Sequence, residues 1–231
     1  MKKTIFVALI MILCLSGCSA KPYSNRKVTA YLDERFGGEN RFTLQEIVKD
    51  NRADNSIQSW TYFYHDNERN IDFTVKTLKY GWFANAIVIF PHKEIYSHLN
   101  REIMYGYREQ AVTYAEEYGL TLRPVESLLS DEKTFDRAED FIYVTDYSQL
   151  EVAAKLFFDL RELYNLEDEG SGGASFVFCE DPSNDAKHYS VERLLSLPFY
   201  QPIEKNEAVV IANEEQLSRL LKERWQEIFN N

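Results

Sequence analysis

The chain has 231 residues, 26 of them basic and 37 acidic, for a formal net charge of −11. That balance excludes nucleic acid as a partner and speaks against adsorption of the body to an anionic membrane, since both need basic surface. The 15 Tyr and 15 Phe supply volume for a core held by burial rather than by cross-links.

The first element is an export signal. Lys2 and Lys3 precede an unbroken apolar run from Ile5 to Leu15. A basic start before a short apolar run reads as a signal peptide over residues 1–17. The run is shorter than the ~20 residues needed to cross a bilayer. It ends in Leu15-Ser16-Gly17-Cys18, which resembles the lipobox of bacterial lipoproteins: an aliphatic residue, two small ones, then cysteine. The resemblance covers residues 1–18. It implies cleavage before Cys18, a diacylglycerol on its sulfur, and a body held at a membrane surface outside the cytoplasm. In a Gram-positive cell that surface is the outer leaflet of the membrane; in a Gram-negative cell Ser19 permits sorting to the outer membrane. The alternative is an ordinary secretory peptide cut near Ala20. Loss of Lys2 and Lys3 takes the net charge to −13. Cys14 leaves with the signal and Cys18 carries lipid, so Cys179 has no partner for an intramolecular disulfide.

Residues 18–26 read as a lipidated tether. Val28, Leu32 and Phe36 are spaced for a helix that Gly37-Gly38 stops. Phe42–Val48, Trp60–Tyr64 and Ile71–Val75 read as strands, with Asp66–Asn70 as a turn. Ala86–Phe90 is a short apolar strand before Pro91. Ile95, Leu99, Ile103, Tyr107, Ala111, Tyr114 and Tyr118 predict one long helix over 93–118, ended by Gly119. Leu120–Val125 is a further strand, and the polar stretch 128–139 marks a boundary. Beyond it, Val144 with Asp146 and Gln149 echoes Ile211 with Asn213 and Gln216. In each, a strand leads into a helix capped by Asp or Asn, with Gln three residues later able to complete a capping box.

The expected fold is α+β: an antiparallel strand meander covered by a long helix (27–127), then a smaller portion of alternating strands and helices (138–231). The two portions pack together or stand as separate domains.

The chemistry-bearing patterns are sparse. Glu167 to Gly173 is glycine-rich but follows a helix and precedes a strand, the reverse of a phosphate loop, and its carboxylates repel phosphate. It reads as a surface loop. Glu94, His98 and Glu102 share a stripe on the expected long helix, with His92 and His65 as further imidazoles, but no recognised metal-ligand pattern is present. Cys179 lies in an apolar strand, and His188 follows; nothing nearby marks a reactive thiolate. No metal, cofactor or catalytic residue is assigned. The aromatic cluster Trp60, Tyr62, Tyr64, Tyr80 and Trp82 is the candidate contact surface for an envelope protein or small ligand, if a sheet face leaves those rings exposed. The sequence therefore points to a membrane-anchored binding module, with an envelope hydrolase built on dispersed carboxylates or histidines as the alternative.

Overall fold

The computed structural model describes residues 21–50, 57–80, 95–129, 138–166, 172–183, 190–199 and 211–229. They form an α+β arrangement of two four-stranded sheets and their helices.

Helix α1 spans Asn25–Phe36 and buries Val28, Leu32 and Phe36. It starts ahead of the expected Val28 because the Ser24 side chain accepts a hydrogen bond from Lys27 N and caps the first turn. The end of the stretch read as tether is therefore helix. Gly37 (φ +73°) and Gly38 (φ +92°) stop it in backbone conformations that other residues resist.

Sheet one follows, antiparallel in the order β1 (Phe42–Asp50), β2 (Ile57–Asp66), β3 (Ile71–Tyr80) and β4 (Ile95–Ser97). Strand β1 lies at the edge, and a bulge between Leu44 and Glu46 interrupts its register. Such an irregularity, with Glu46 and Lys49 exposed beside it, discourages pairing with another chain. The β2–β3 turn is built on Asp66, which is fully buried. Its carboxylate accepts from Arg41 Nε (3.0 Å) and Nη2 (2.7 Å), and from the backbone N–H of Glu68 (3.0 Å) and Arg69 (3.3 Å). Burial alone would raise this carboxyl. The Arg41 hydrogen bonds and charge, together with the Glu68 and Arg69 N–H groups, outweigh it and hold the group below the usual carboxylate range.

The expected long helix is a correction. Ile95–Ser97 is strand β4, and the helical part divides into α2 (Leu99–Gly106) and α3 (Arg108–Glu117) at Tyr107. Ile95 pairs with Thr77 of β3, and His98 N donates to Thr74 O, so sheet hydrogen bonds claim the residues ahead of Leu99. Gly106, a poor helix former, precedes the break. Sheet one is thus covered by α1 and the short α2. Residues 86–90 lie outside the described residues.

Sheet two runs β5 (Thr121–Arg123), β6 (Ala138–Val144), β7 (Gly172–Phe178) and β8 (Leu194–Pro198); β6 and β7 are parallel, the other pairs antiparallel. Strand β5 precedes the polar stretch 128–139 yet pairs with β6 beyond it, so the sheets divide the chain between β4 and β5. Helix α4 (Leu150–Tyr164) makes the crossover from β6 to β7, and α5 (Glu214–Phe229) packs beside it. Both expected caps form. Asp146 and Gln149 make a complete capping box. Gln216 N donates to Asn213 Oδ1 while Gln216 Oε1 accepts from Ala212 N. Ile211 itself lies in irregular backbone rather than a strand.

Gly172 and Gly173, read as the end of a loop, begin strand β7. A Cβ at Gly172 would meet Leu166 Cδ1 at 2.1 Å, and one at Gly173 would meet the Leu197 carbonyl oxygen at 2.5 Å. Close approach of the Leu197–Pro198 backbone requires glycine at 173, whereas the obstacle at 172 is the end of the Leu166 side chain, which can turn aside.

Removing the partner of a buried charge costs about 3–5 kcal/mol. Arg41→Met is therefore expected to lower unfolding free energy at pH 7 by about 3 kcal/mol in urea titrations. The Asp66 carboxyl is lowered in the fold, so its contribution is present above the ordinary carboxylate pKa and lost as pH falls through the folded value. The variant should accordingly lose less stability than the parent on acidification below about pH 4. A change under about 1 kcal/mol, the range of an exposed ion pair, contradicts this reading.

Candidate functional site

Three of the aromatic residues singled out in the sequence, Trp60, Tyr62 and Tyr64, are core. Trp60, Tyr62 and Tyr64 face Thr77, Val75 and Phe73 across the β2–β3 ladder and are at most 4 % exposed. Tyr62 donates to the Tyr23 carbonyl (2.8 Å). Tyr64 donates to Asn25 Oδ1 (2.7 Å), and its ring stacks on Phe73 at 5.9 Å. Burial raises both phenols. These rings form the floor on which α1 sits, and their hydroxyls satisfy the chain entering that helix. They offer no exposed contact surface. Tyr80 ends β3, and Trp82 lies outside the described residues.

The carboxylate–imidazole stripe also dissolves. His98 sits between β4 and α2, its Nδ1 2.9 Å from Thr74 Oγ1. Glu102, 4 % exposed, turns inward and accepts from Ser127 Oγ (2.6 Å) and Leu128 N (2.8 Å). His65 Nδ1 lies 2.7 Å from Asp72 Oδ1. Glu94 and His92 lie outside the described residues. Among the described residues no three His, Cys, Asp or Glu side chains converge as a metal site. Cys179 is 1 % exposed, and its N–H donates to Val144 O at the end of the parallel ladder. It packs with Tyr143 and Val177 on the sheet-two face turned away from the main core. His188 lies outside the described residues.

What the structure does bring together is a set of buried charged groups around residues 124–129, the strap between β5 and the polar stretch. Arg101 Nε donates to the Glu126 carbonyl (2.8 Å), Glu102 accepts from Ser127 and Leu128, and Asp140 Oδ1 accepts from Val125 N (2.7 Å). Asp140 is fully buried on the core side of β6, and its second oxygen accepts from Tyr164 OH (2.5 Å). Burial is the dominant influence on Asp140 and pushes its carboxyl up to about 6, against the lowering effect of those two hydrogen bonds. Tyr164 in turn is raised by its own burial and by the neighbouring carboxylate. A sequence signal for Asp140 existed: it occupies the same alternation position as the apolar Ala138, Ile142 and Val144. Glu102 stood out only as part of a stripe with Glu94 and His98 and gave no sign of burial, because the strap that covers it lies 25 and 26 residues further along the chain.

Among the described residues, two grooves are found in the helical layer over sheet two. One, of about 360 Å³, lies between α3 and α4 and is lined by Tyr114, Glu117, Tyr118, Asp159, Glu162 and Leu163. There Tyr118 donates to Asp159 Oδ2 (2.5 Å), and the Lys155 ammonium contacts the Tyr118 hydroxyl. The other, of about 670 Å³, lies between α4 and α5, where Lys222 pairs with Glu151 at 2.5 Å and Arg219 lies among Glu214, Glu215 and Glu223. Both are predominantly acidic, and their ion pairs are exposed enough for water to screen them. The arrangement suits weak contact with polar or cationic groups. The chain matches no family model, no curated protein and no solved structure.

Asp140 gives a measurable signature. Its folded pKa is raised, so its favourable contribution is complete below the ordinary carboxylate value and lost as pH rises through about 6. Relative to Asp140→Asn, the parent should therefore lose about 3 kcal/mol of unfolding free energy between pH 4 and pH 7. Parallel stability–pH curves for parent and variant would show that the buried carboxyl does not titrate in this way.

Proposed function

We propose that this protein is an exported bacterial lipoprotein whose body acts outside the cytoplasm as a binding or interaction module rather than as an enzyme. One observation carries the reading: Leu15-Ser16-Gly17-Cys18 directly follows the basic start and the apolar run from Ile5 to Leu15. In this reading the chain is cut before Cys18 and held by a diacylglycerol on its sulfur, two acyl chains being enough for stable attachment. Among the described residues no helix is long and apolar enough to cross a membrane.

The folded part supports the same reading from its own side. From Tyr23 onward the chain is docked, with Tyr23 O receiving the Tyr62 hydroxyl and the Lys27 ammonium 3.7 Å from the Tyr23 ring centroid. The segment from Cys18 to Tyr23 reaches at most about 18 Å. The body therefore works close to the membrane, and a partner must approach it there. The acidic helical layer over sheet two is the surface best suited to such weak, polar association.

Cys18→Ala, expressed in a bacterial host with a lipoprotein-processing pathway, is expected to move the protein from the membrane pellet to the soluble envelope fraction. Mass spectrometry of the parent should find a diacylglyceryl group on an N-terminal Cys18. Retention of the variant in the membrane fraction contradicts the reading, as does an unmodified start downstream of Cys18.

A further inference from the structure

The groove between α4 and α5 holds a polar group without a partner. Ser218 lies within α5 and is 9 % exposed, and its Oγ is buried with no hydrogen bond. A serine in the body of a helix commonly returns its hydroxyl to the carbonyl four residues earlier or turns it out to water. Ser218 does neither, although it lines a groove of about 670 Å³. A buried hydroxyl left unpaired costs stability, and this one stands where a partner from outside the chain can supply the missing bond.

Its neighbours define the chemistry of that partner. Glu214 and Glu215 stand four and three residues before Ser218, one turn back along α5. Helical side chains tilt toward the N-terminus, so the serine leans to the turn that carries the two glutamates. Both are exposed, and their place in the first turn favours the ionised form. The cations nearby are engaged on each helix that lines the groove. On α5, Lys222 reaches across to Glu151 of α4 at 2.5 Å, and Arg219 has Glu223 four residues further on, at ion-pair spacing. On α4, Lys155 is attracted by Glu214 but contacts the Tyr118 hydroxyl and lies 3.6 Å from Asp159. Among the described residues the groove is thus lined by four carboxylates against two cations, and the surplus lies at the Ser218 end.

We propose that this groove binds a primary ammonium group, held by the Ser218 hydroxyl and by the carboxylates of Glu214 and Glu215. The proposal gives the binding module a ligand class and rests on that reading. A primary ammonium carries three donors and no acceptor, the complement of one hydroxyl lone pair and two carboxylates. The serine has a single side-chain torsion, so one turn about it directs Oγ toward the guest. An anion would be repelled by the surplus acids. A quaternary ammonium has no N–H for Ser218 and is recognised by aromatic faces, which the described lining lacks. Among the described residues no three His, Cys, Asp or Glu side chains converge to favour a metal ion instead. Gln226, two turns beyond Ser218, offers a polar contact for the remainder of the ligand.

The test titrates the full mature chain by calorimetry with linear diaminohexane and, separately, with hexamethonium. The two dications match in charge and chain length, but only the first has N–H donors. The diamine is expected to bind about fivefold more tightly, the worth of one hydrogen bond. Ser218→Ala should erase that preference, and Glu214→Gln combined with Glu215→Gln should weaken the diamine by at least about fivefold. Without ligand, Ser218→Ala should melt above the parent, because alanine is the better helix former and no bond is lost. Equal affinity for the two dications overturns the site, since attraction to general acidity produces that result. A preference that survives Ser218→Ala overturns it as well. So does a lower melting temperature of the ligand-free variant, which would show the hydroxyl already bonded within the fold. None of these readouts depends on lipid, so failure of the diamine to bind overturns the site and leaves attachment at Cys18 to its own test.

Discussion

The structure depends on helix α2 being buried on every side. It has eight residues, of which Leu99 to Met104 are all within the interior. Leu99 and Ile103 enter the core under sheet one, while the adjacent Met104 enters the core of sheet two. One short helix is thus shared by two hydrophobic clusters. Its intervening residues, Arg101 and Glu102, cannot reach water, and a buried charge without hydrogen bonds would cost several kcal/mol. Both are satisfied by the backbone or side chains of residues 126–128. Asp140 holds the same strap from the other side, through Val125. The apolar side chains of α2 join the cores, and its charged ones fasten the connection between the sheets. Arg69 Nη2, donating to Asn165 O across 3.1 Å, adds a peripheral tie between the same two layers.

Much of this was legible where one signal acted without competition. The β2 and β3 strands showed through their β-branched and aromatic residues, and the turn between them through Asp66 and Asn70. The caps at Asp146 and Asn213 were readable because a capping box is local: both partners lie within four residues and need nothing from the rest of the fold. The helix over 93–118 misled for the opposite reason. Of that stripe Ile95, Leu99, Ile103 and Ala111 are buried, whereas Tyr107, at the break, is exposed. But the same residues fit a strand followed by two helices once β3 offers Ile95 a ladder, and that offer is invisible along the chain. Trp60, Tyr62 and Tyr64 misled because alternation distinguishes two faces without saying which is covered. Here the covering element is α1, whose first turn receives the Tyr62 and Tyr64 hydroxyls.

The candidate sites divide along the same line. Glu102 and Cys179, weighed in the sequence for metal and thiol chemistry and assigned neither, serve as interior structure. The groups with the most altered titration, Asp140 and Tyr164, form a buried pair that the sequence hinted at only through parity. Surface chemistry is left to the grooves beside α4.

The central claim is that α2 and the strap make the two sheets a single cooperative unit. Fluorine NMR on protein labelled with 5-fluorotryptophan tests it directly, because Trp60 lies in the first core and Trp225 packs on Phe178 and Phe229 in the second. Along a urea titration, the native signals of Trp60 and Trp225 should disappear with one midpoint and one slope, as for a two-state domain. Loss of one signal while the other stays native would contradict the account, showing that each sheet stands without α2 joining it to its neighbour.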